Sequence, residues 1–447
     1  MRFSSFVAAF VFLLNVGVSV RADDSPLDLL NRSWSTFAEP GDALGYPMKV
    51  RAIAQSPYHF WRGGKDFFFA WVKENTPALL AAPAYPAHGD LHFGNLGVYA
   101  SEKTFGDVAF GMTDFDDATQ LPIAMQLLDG AITLRLAARD TATDFTADDA
   151  RIFTHDLVEA YRSALTSSGT ATDQLKAIKP IAKLLKKASK NTYHELLNKM
   201  TEQGKFRPLL KNKEGDVTNI LRPALEQADD IAEVIAQAAV HSPRLAAMMR
   251  YTDAKTIRSN IRDVALRTRL GSSGSQGLRK VLVLLDKPLK SEDHDVIFYL
   301  KQEIPAAAER QGAVPAFSES PGQRVSDMCE ALCDPDLLAC SWGDAAGRSY
   351  WVQIYEPWSD DLQADDFGGL KGLSAGATVW GTTLGTMHRE KAAEITPQLT
   401  ADLERQINEQ ADLYVAHMLE AYEAFRKDPR VRALQIEADK VVMEWTK

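Results

Sequence analysis

The chain reads as an α+β protein, in which largely helical sequence brackets a strand-rich stretch that opens near residue 266. Apolar residues recur at helical spacing over 148–167, 220–250, 375–388 and 400–426. Short apolar runs at 280–285 and 296–301, with turn chemistry between them, behave as strands. No Gly/Ser-rich or low-complexity linker separates the two kinds of sequence, and no internal repeat is present. With 447 residues, 45% apolar and 25% charged, the chain can bury a sizeable core as one large two-lobed domain or two ordinary ones. A net charge of −10 suits solubility and argues against nucleic acid as the main partner.

From the N-terminus, Met1 and Arg2 lead into an apolar run over 6–20 that is too short to span a bilayer comfortably. It ends at Ala22 before Asp23 and Asp24, the pattern of a secretory signal peptide over 1–22. No cysteine stands at the cut and no later stretch is apolar enough for a second span, so the expected product is soluble and exported, periplasmic or secreted. Ser25 and Pro26 read as a helix cap and first turn, opening a helix to about Phe37. Aromatics then crowd 58–72 around Arg62, Gly63 and Gly64, and Pro77, Pro83 and Pro86 break the chain before His88.

The helix over 148–167 places Ile152, Phe153, Leu157, Tyr161 and Leu165 on one side. Beyond it, Lys176, Lys179, Lys183, Lys186, Lys187 and Lys190 form a basic run that reads as a solvated helix face, with weak contact to an acidic surface as the functional alternative. Gly271, Gly274 and Gly277 mark a turn, followed by the two strand runs, a helix near 322–332, further strand candidates at 337–342 and 349–355, and helices to the end. Cys329, Cys333 and Cys340 cannot all pair internally. Buried thiols are the favoured reading, and a bridge from either of the first two to Cys340 is the alternative.

The densest chemistry is His88, Gly89, Asp90, Leu91, His92, Phe93, Gly94 and Asn95, followed nineteen residues later by Asp114, Phe115, Asp116 and Asp117. Phosphoryl transfer needs a carboxylate at the acceptor hydroxyl and oxygen ligands for a cation on the nucleotide phosphates. In this order and at this separation, the two segments resemble the catalytic loop and metal-binding segment of aminoglycoside phosphotransferases and choline kinases, which share the protein-kinase fold. That resemblance implies Asp90 as catalytic aspartate, Asn95 and Asp114 as ligands of Mg2+ or Mn2+, and Asp116 as a second acidic ligand. It implies contact of His92 with the transferred phosphate and a bracing role for His88.

The chain also resembles, from about residue 50 to its C-terminal helices, the proteins bearing domain of unknown function 2252, a group placed with the protein-kinase-like superfamily. The blocks that carry this are 56–63, 89–97, 113–118, the glycine turn, 299–303 and 322–325. Two positions depart from the family's pattern. Thr113 replaces a usual asparagine, and 386–391 lacks the glycine and aspartate usual at that helix end.

Only about 65 residues lie between the expected cleavage site and His88, too few for an N-terminal nucleotide lobe of the ordinary kinase kind. The expectation is therefore a circularly permuted, two-lobed kinase-like fold. Residues 23–265 would carry the catalytic loop and a largely helical section, 266–358 a small antiparallel-sheet nucleotide lobe, and 359–447 the C-terminal helices. Gly271, Gly274 and Gly277 would cover the phosphates of ATP or another nucleotide, and Lys301 would pair with them. Asp327 and Glu330 are candidate acidic partners of Lys301, whereas Glu303 stands too close along the strand. The expected reaction is transfer to a hydroxyl of a small-molecule acceptor. Two other readings compete: an exported pseudokinase-like protein that binds without turnover, since ATP is scarce outside the cytoplasm, and a metallophosphoesterase, which would need more histidines near Asp90.

Overall fold

The computed structural model of the chain describes residues 25–36, 45–101, 106–142, 144–212, 214–270, 276–333, 337 and 339–445. The expected signal peptide at 1–22, and Gly271 and Gly274, lie outside these residues. No helix among the described residues is long and apolar enough to cross a membrane.

Helix and antiparallel strand are mixed along the chain. The N-terminal helix Pro26–Ser35 is capped by Ser25, which accepts from Asp28 N, and it buries Leu27, Leu30 and Trp34. The aromatic stretch is two helices, Pro57–Gly63 and Lys65–Asn75. Four short strands follow: β1 (Ala84–Ala87), β2 (Leu96–Ala100), β3 (Val108–Met112) and β4 (Thr119–Pro122). Antiparallel pairing of β1 with β4 and of β2 with β3 sets the loop 88–95 beside the loop 113–118.

Beneath these loops runs the helix Ile123–Thr141, buried almost along its whole length. It packs against Ala147–Thr166, Leu370–Met387 and Ala401–Lys427. Being apolar nearly all round, it shows no one-sided period in the sequence. The chain closes with a further helix, Pro429–Trp445.

After the small hairpin of β5 (Thr201–Glu202) and β6 (Lys205–Phe206) come the strands of one larger sheet: β7 (Leu209–Lys211), β8 (Val217–Pro223), β9 (Ile261–Arg269), β10 (Lys280–Leu285), β11 (Val296–Glu303), β12 (Ser341–Ala345) and β13 (Arg348–Ile354). Its order is β12-β13-β11-β10-β9-β8-β7, antiparallel throughout. Thus the helical period expected from residue 220 begins later, in Ala228–His241. Val217, Thr218 and Ile220 favour extended backbone and Pro223 cannot continue a helix, so 217–223 pairs as strand. The strand expected over 337–342 is likewise displaced to Ser341–Ala345, and Leu337 makes only an isolated bridge to Ser101.

Strand alternation sorts the sheet's two faces. Val264, Val281, Val283, Phe298, Leu300, Val352 and Ile354 form one core with the helix Ala228–His241. Leu282, Leu284, Ile297 and Tyr299 lie on the other face, which turns charged at Lys280, Lys301 and Glu303. A last short strand, β14 (Asp360–Asp361), returns to pair with β2. Cys329, Cys333 and Cys340 are buried and unbridged.

Candidate functional site

The loop 88–95 is held from beneath by buried polar contacts. Gly89 has φ +74°, and a Cβ there would lie 2.1 Å from the carbonyl oxygen of Asp117, so only glycine lets the two loops approach so closely. Asp129, on the long buried helix, accepts from the backbone N–H of Leu91 at 2.9 Å and pairs with Lys65 at 2.7 Å. Thr133 donates to the Leu91 carbonyl and receives the indole N–H of Trp61. Lys65 Nζ stands 3.5 Å above the Trp61 ring and reaches Asp90 Oδ1 at 3.1 Å.

The second oxygen of Asp90 lies 3.3 Å from His92 Nε2, and the Asn95 amide donates to the Asp90 carbonyl at 2.9 Å. Burial disfavours the Asp90 carboxylate, but His92 and Lys65 outweigh it and hold the group well below the ordinary range. Burial, reinforced by the Arg62 charge, pushes His92 down to about 4, so His92 is neutral at physiological pH.

His88 crosses from this loop to the next, with Nε2 2.8 Å from the carbonyl oxygen of Thr113. Thr113 N–H in turn donates to Asn95 O at 3.0 Å. Asp114 adopts φ +59°, a left-handed conformation that aspartate tolerates better than most side chains. Arg324, fully buried on the helix Pro321–Leu332, donates to the carbonyls of Asp116, Ala118 and Ile304 and so ties the loop to the end of β11.

From the sheet, alternation on β11 turns Tyr299, Lys301 and Glu303 to one face. Lys301 Nζ lies 2.5 Å from Asp114 Oδ1 and 2.5 Å from Asp116 Oδ1. The first contact is a hydrogen bond; the second is too poorly aligned to be one. Burial alone would lower the lysine's affinity for its proton, but the two carboxylates raise it well above the usual value. Burial and the neighbouring Asp114 raise Asp116, while Lys301 overcomes burial at Asp114 and holds that carboxyl low. Lys280, cross-strand from Lys301, is pushed down to about 7 by burial and by that like charge.

These groups line one cavity of about 450 Å³. Asp90, His92, Asn95, Asp114 and Asp116 contribute from the loops, and Lys301 with Arg267, Arg269, Lys280 and Glu303 from the sheet. Gly277 is absent from that lining: a Cβ there would fall within 1.3 Å of the Trp34 ring, so this glycine seats Trp34, which does reach the cavity. Lys301 takes its acidic partners from the loop, at Asp114 and Asp116, whereas Asp327 and Glu330 contribute nothing to the cavity wall. Among the lining residues His92 is the sole histidine, short of what a dinuclear phosphoesterase centre requires.

Lys65 and Asp129 escaped the motif reading, and Arg324 entered it only as part of the block 322–325, with no role assigned. Asp129 and Arg135 break an otherwise apolar stretch of sequence, a pattern that could have flagged a buried brace. The basic run 176–190 is surface: its helix Lys179–Ala188 buries Ile181 and Leu184, and Lys187 pairs with Asp360 at 2.6 Å.

The donor set suits a hard divalent cation. Asp114 and Asp116 already share one cation, the Lys301 ammonium, and with its nitrogen donated to Asp90 the Asn95 amide keeps its oxygen for a ligand. Among the described residues, the group of three acidic or histidine ligands close enough to share an ion is His155, Glu159 and Glu404, outside this cavity. Two carboxylates and an amide are nonetheless an ordinary protein share for Mg2+, which completes its octahedron with water and phosphate oxygens.

A family model described as an uncharacterized protein conserved in bacteria (DUF2252) matches residues 43–428. No curated protein and no solved structure matches the chain.

Proposed function

The chain belongs to the DUF2252 family of uncharacterised bacterial proteins, and from its cavity we propose a metal- and nucleotide-dependent phosphotransferase of protein-kinase-like architecture. The observation that carries this reading is the meeting of Lys301 with Asp114 and Asp116, 187 and 185 positions apart in sequence, beside Asp90 and Asn95. A lysine and a pair of carboxylates facing one gap can divide a metal–phosphate ligand between them, the lysine on phosphate oxygens and the carboxylates on the cation.

In this proposal the sheet is the nucleotide lobe and follows the catalytic loop in the chain, a permuted order. Asn95, Asp114 and Asp116 would hold Mg2+ or Mn2+, which when bound neutralises charge on ATP or another nucleotide. Asp90, fixed by Lys65 and His92, stays ionised and accepts the proton of an acceptor hydroxyl. The acceptor oxygen forms a bond to the terminal phosphorus, the bond to the bridging oxygen breaks, and the nucleoside diphosphate leaves. His92, neutral, gives its one N–H to Asp90 at 3.3 Å and so orients that carboxylate toward the acceptor hydroxyl. Export of the chain through its N-terminal segment is part of the same proposal, with a small molecule as acceptor.

Thermal shift with ATP or GTP, with and without Mg2+ or Mn2+, tests the reading. A rise in Tm with nucleotide and metal together that exceeds the rise with either alone supports it, and turnover that falls by at least about two orders of magnitude in Asp90→Ala makes the protein an enzyme. Binding with no turnover for any hydroxyl acceptor leaves a binding protein of the same architecture. A rise with metal alone that nucleotide does not enlarge turns the site toward phosphoesterase chemistry, and no rise at all removes the proposal.

A further inference from the structure

Glu303 is 3% exposed, lines the cavity, and neither of its carboxylate oxygens has a hydrogen-bond partner. A buried carboxyl without partners costs stability, so its retention beside a charged site calls for a ligand or a moving counter-ion. Lys301 supplies the second half of the problem. Its ammonium sits where a cation held by Asp114 and Asp116 would sit, at 2.5 Å from an oxygen of each. A metal ion and the ammonium cannot share that position, so binding of one requires displacement of the other.

The sheet limits where the displaced lysine can go. On its own face Lys301 has four neighbours: Lys280 across the ladder on β10, Trp351 across the ladder on β13, and Tyr299 and Glu303 two residues away along β11. Lys280 repels it, Trp351 and Tyr299 offer rings, and only Glu303 carries a carboxyl. Residues i and i+2 of a strand are about 7 Å apart, within the sweep of a lysine side chain whose Cα stays fixed, so the closeness along the strand that set Glu303 aside in the sequence does not keep it from the ammonium.

We propose that Glu303 is the receiving partner of Lys301, a positioning residue that takes the ammonium when a divalent cation occupies Asp114 and Asp116. This rests on the phosphotransferase reading for the identity of the cation site, and on the orphaned carboxyl for the role of Glu303. Metal loading and lysine position are then coupled: the cation releases Lys301 from the loop, and Glu303 holds it on the sheet, facing the phosphates.

Mn2+ alone, titrated calorimetrically into the full-length protein and its variants, tests the coupling without any turnover. Burial and the nearby Asp116 hold the Glu303 carboxyl well above the ordinary range while Lys301 is on the loop. Glu303→Gln keeps the shape and removes the carboxylate that would form to receive the ammonium, so Mn2+ affinity falls about tenfold, while Tm in the absence of metal holds or rises. Lys301→Met removes the competitor and raises Mn2+ affinity above that of the unaltered chain. In Lys301→Met/Glu303→Gln the Glu303 substitution no longer matters, and affinity matches Lys301→Met.

Unaltered Mn2+ affinity in Glu303→Gln overturns the inference while leaving the cation site intact. An equal loss from Glu303→Gln in both backgrounds also overturns it, by making Glu303 a direct ligand. If neither the unaltered protein nor Lys301→Met binds Mn2+, the cation site and the inference fall together. Should Lys301→Met fail to fold, Lys301→Gln replaces it as the background without the ammonium, and the same two comparisons decide.

Discussion

The loops at 88–95 and 113–118 and the sheet strand at 296–303 bring charge to the same cavity by opposite means. The loops have no repeating geometry of their own, and each functional carboxylate is fixed by buried braces: Lys65 and Asp129 beneath Asp90, His88 between the loops, and Arg324 behind Asp116. The strand needs no such scaffolding. Once β11 is in register between β10 and β13, alternation alone turns Tyr299, Lys301 and Glu303 to the cavity. A site built from loops therefore depends on distant polar side chains, whereas one built from a strand depends on register.

The largest expected effect comes from removing a brace. Arg324 is fully buried and serves three carbonyls. Arg324→Met should cost about 3–5 kcal/mol, because three buried carbonyls lose a charged donor at once, read as chemical denaturation midpoint. Arg324→Lys should recover only part of it, because one ammonium cannot span the guanidinium fork. A loss below about 1 kcal/mol would mean that the loops do not depend on such braces.

On the strand side, Lys301→Met should cost less, about 2–3 kcal/mol, because the Asp114 side chain is 48% exposed and solvent takes up part of the freed charge. This loss should be restored by Mn2+ or Mg2+, which replaces the missing cation. A loss that metal leaves untouched would break the equivalence between ammonium and divalent ion at Asp114 and Asp116.

The same contrast governs what the sequence disclosed. That Asp90, Asn95 and Asp114 would share one cavity was legible because the loop motif is short-range. Lys301 was legible as the charged end of an apolar strand run, but its partners were not. They depend on how the sheet docks against the loops, and no local pattern encodes that distance. Asp327 and Glu330 were natural candidates by proximity in sequence, yet the lysine pairs with residues more than 180 positions earlier. The helix Ile123–Thr141 went unread because burial on all sides erases the period that marks an amphipathic helix. The strand Val217–Pro223 was hidden by the helix that follows it closely. Gly277 was misassigned for a related reason: a glycine that makes room for the Trp34 ring looks in sequence like one that cradles phosphate.

A smaller effect should come from His388, a brace for the loop region that enters from the C-terminal helices. Its Nε2 lies 2.7 Å from the Pro86 carbonyl and its Nδ1 2.8 Å from the Tyr161 hydroxyl. Burial pushes it down to about 4, below an unfolded value of about 6.5. The neutral form is the one that folds, so this group's contribution is complete above about pH 6.5 and is lost as pH falls toward 4. Between pH 7.5 and 5.5 the loss should be on the order of 1 kcal/mol. His388→Gln should flatten that part of the stability profile, and an unchanged slope would detach His388 from the loop's support.

Smallest of all, the basic run belongs to neither region. Lys183→Gln with Lys186→Gln should change stability by less than about 0.5 kcal/mol, as expected for solvated surface charges. A larger change would give that helix face a structural role.

The division of labour inside the cavity is tested most directly by calorimetric affinity for Mn2+–ATP in the unaltered chain, Asp114→Asn and Asp90→Asn. In the proposed phosphotransferase Asp114 holds the cation and Asp90 faces the acceptor hydroxyl. Asp114→Asn should therefore weaken binding by at least about tenfold, or 1.4 kcal/mol, while folded Asp90→Asn stays within about threefold of the unaltered protein. Equal losses in the two folded variants, or binding that neither substitution touches, would contradict the account.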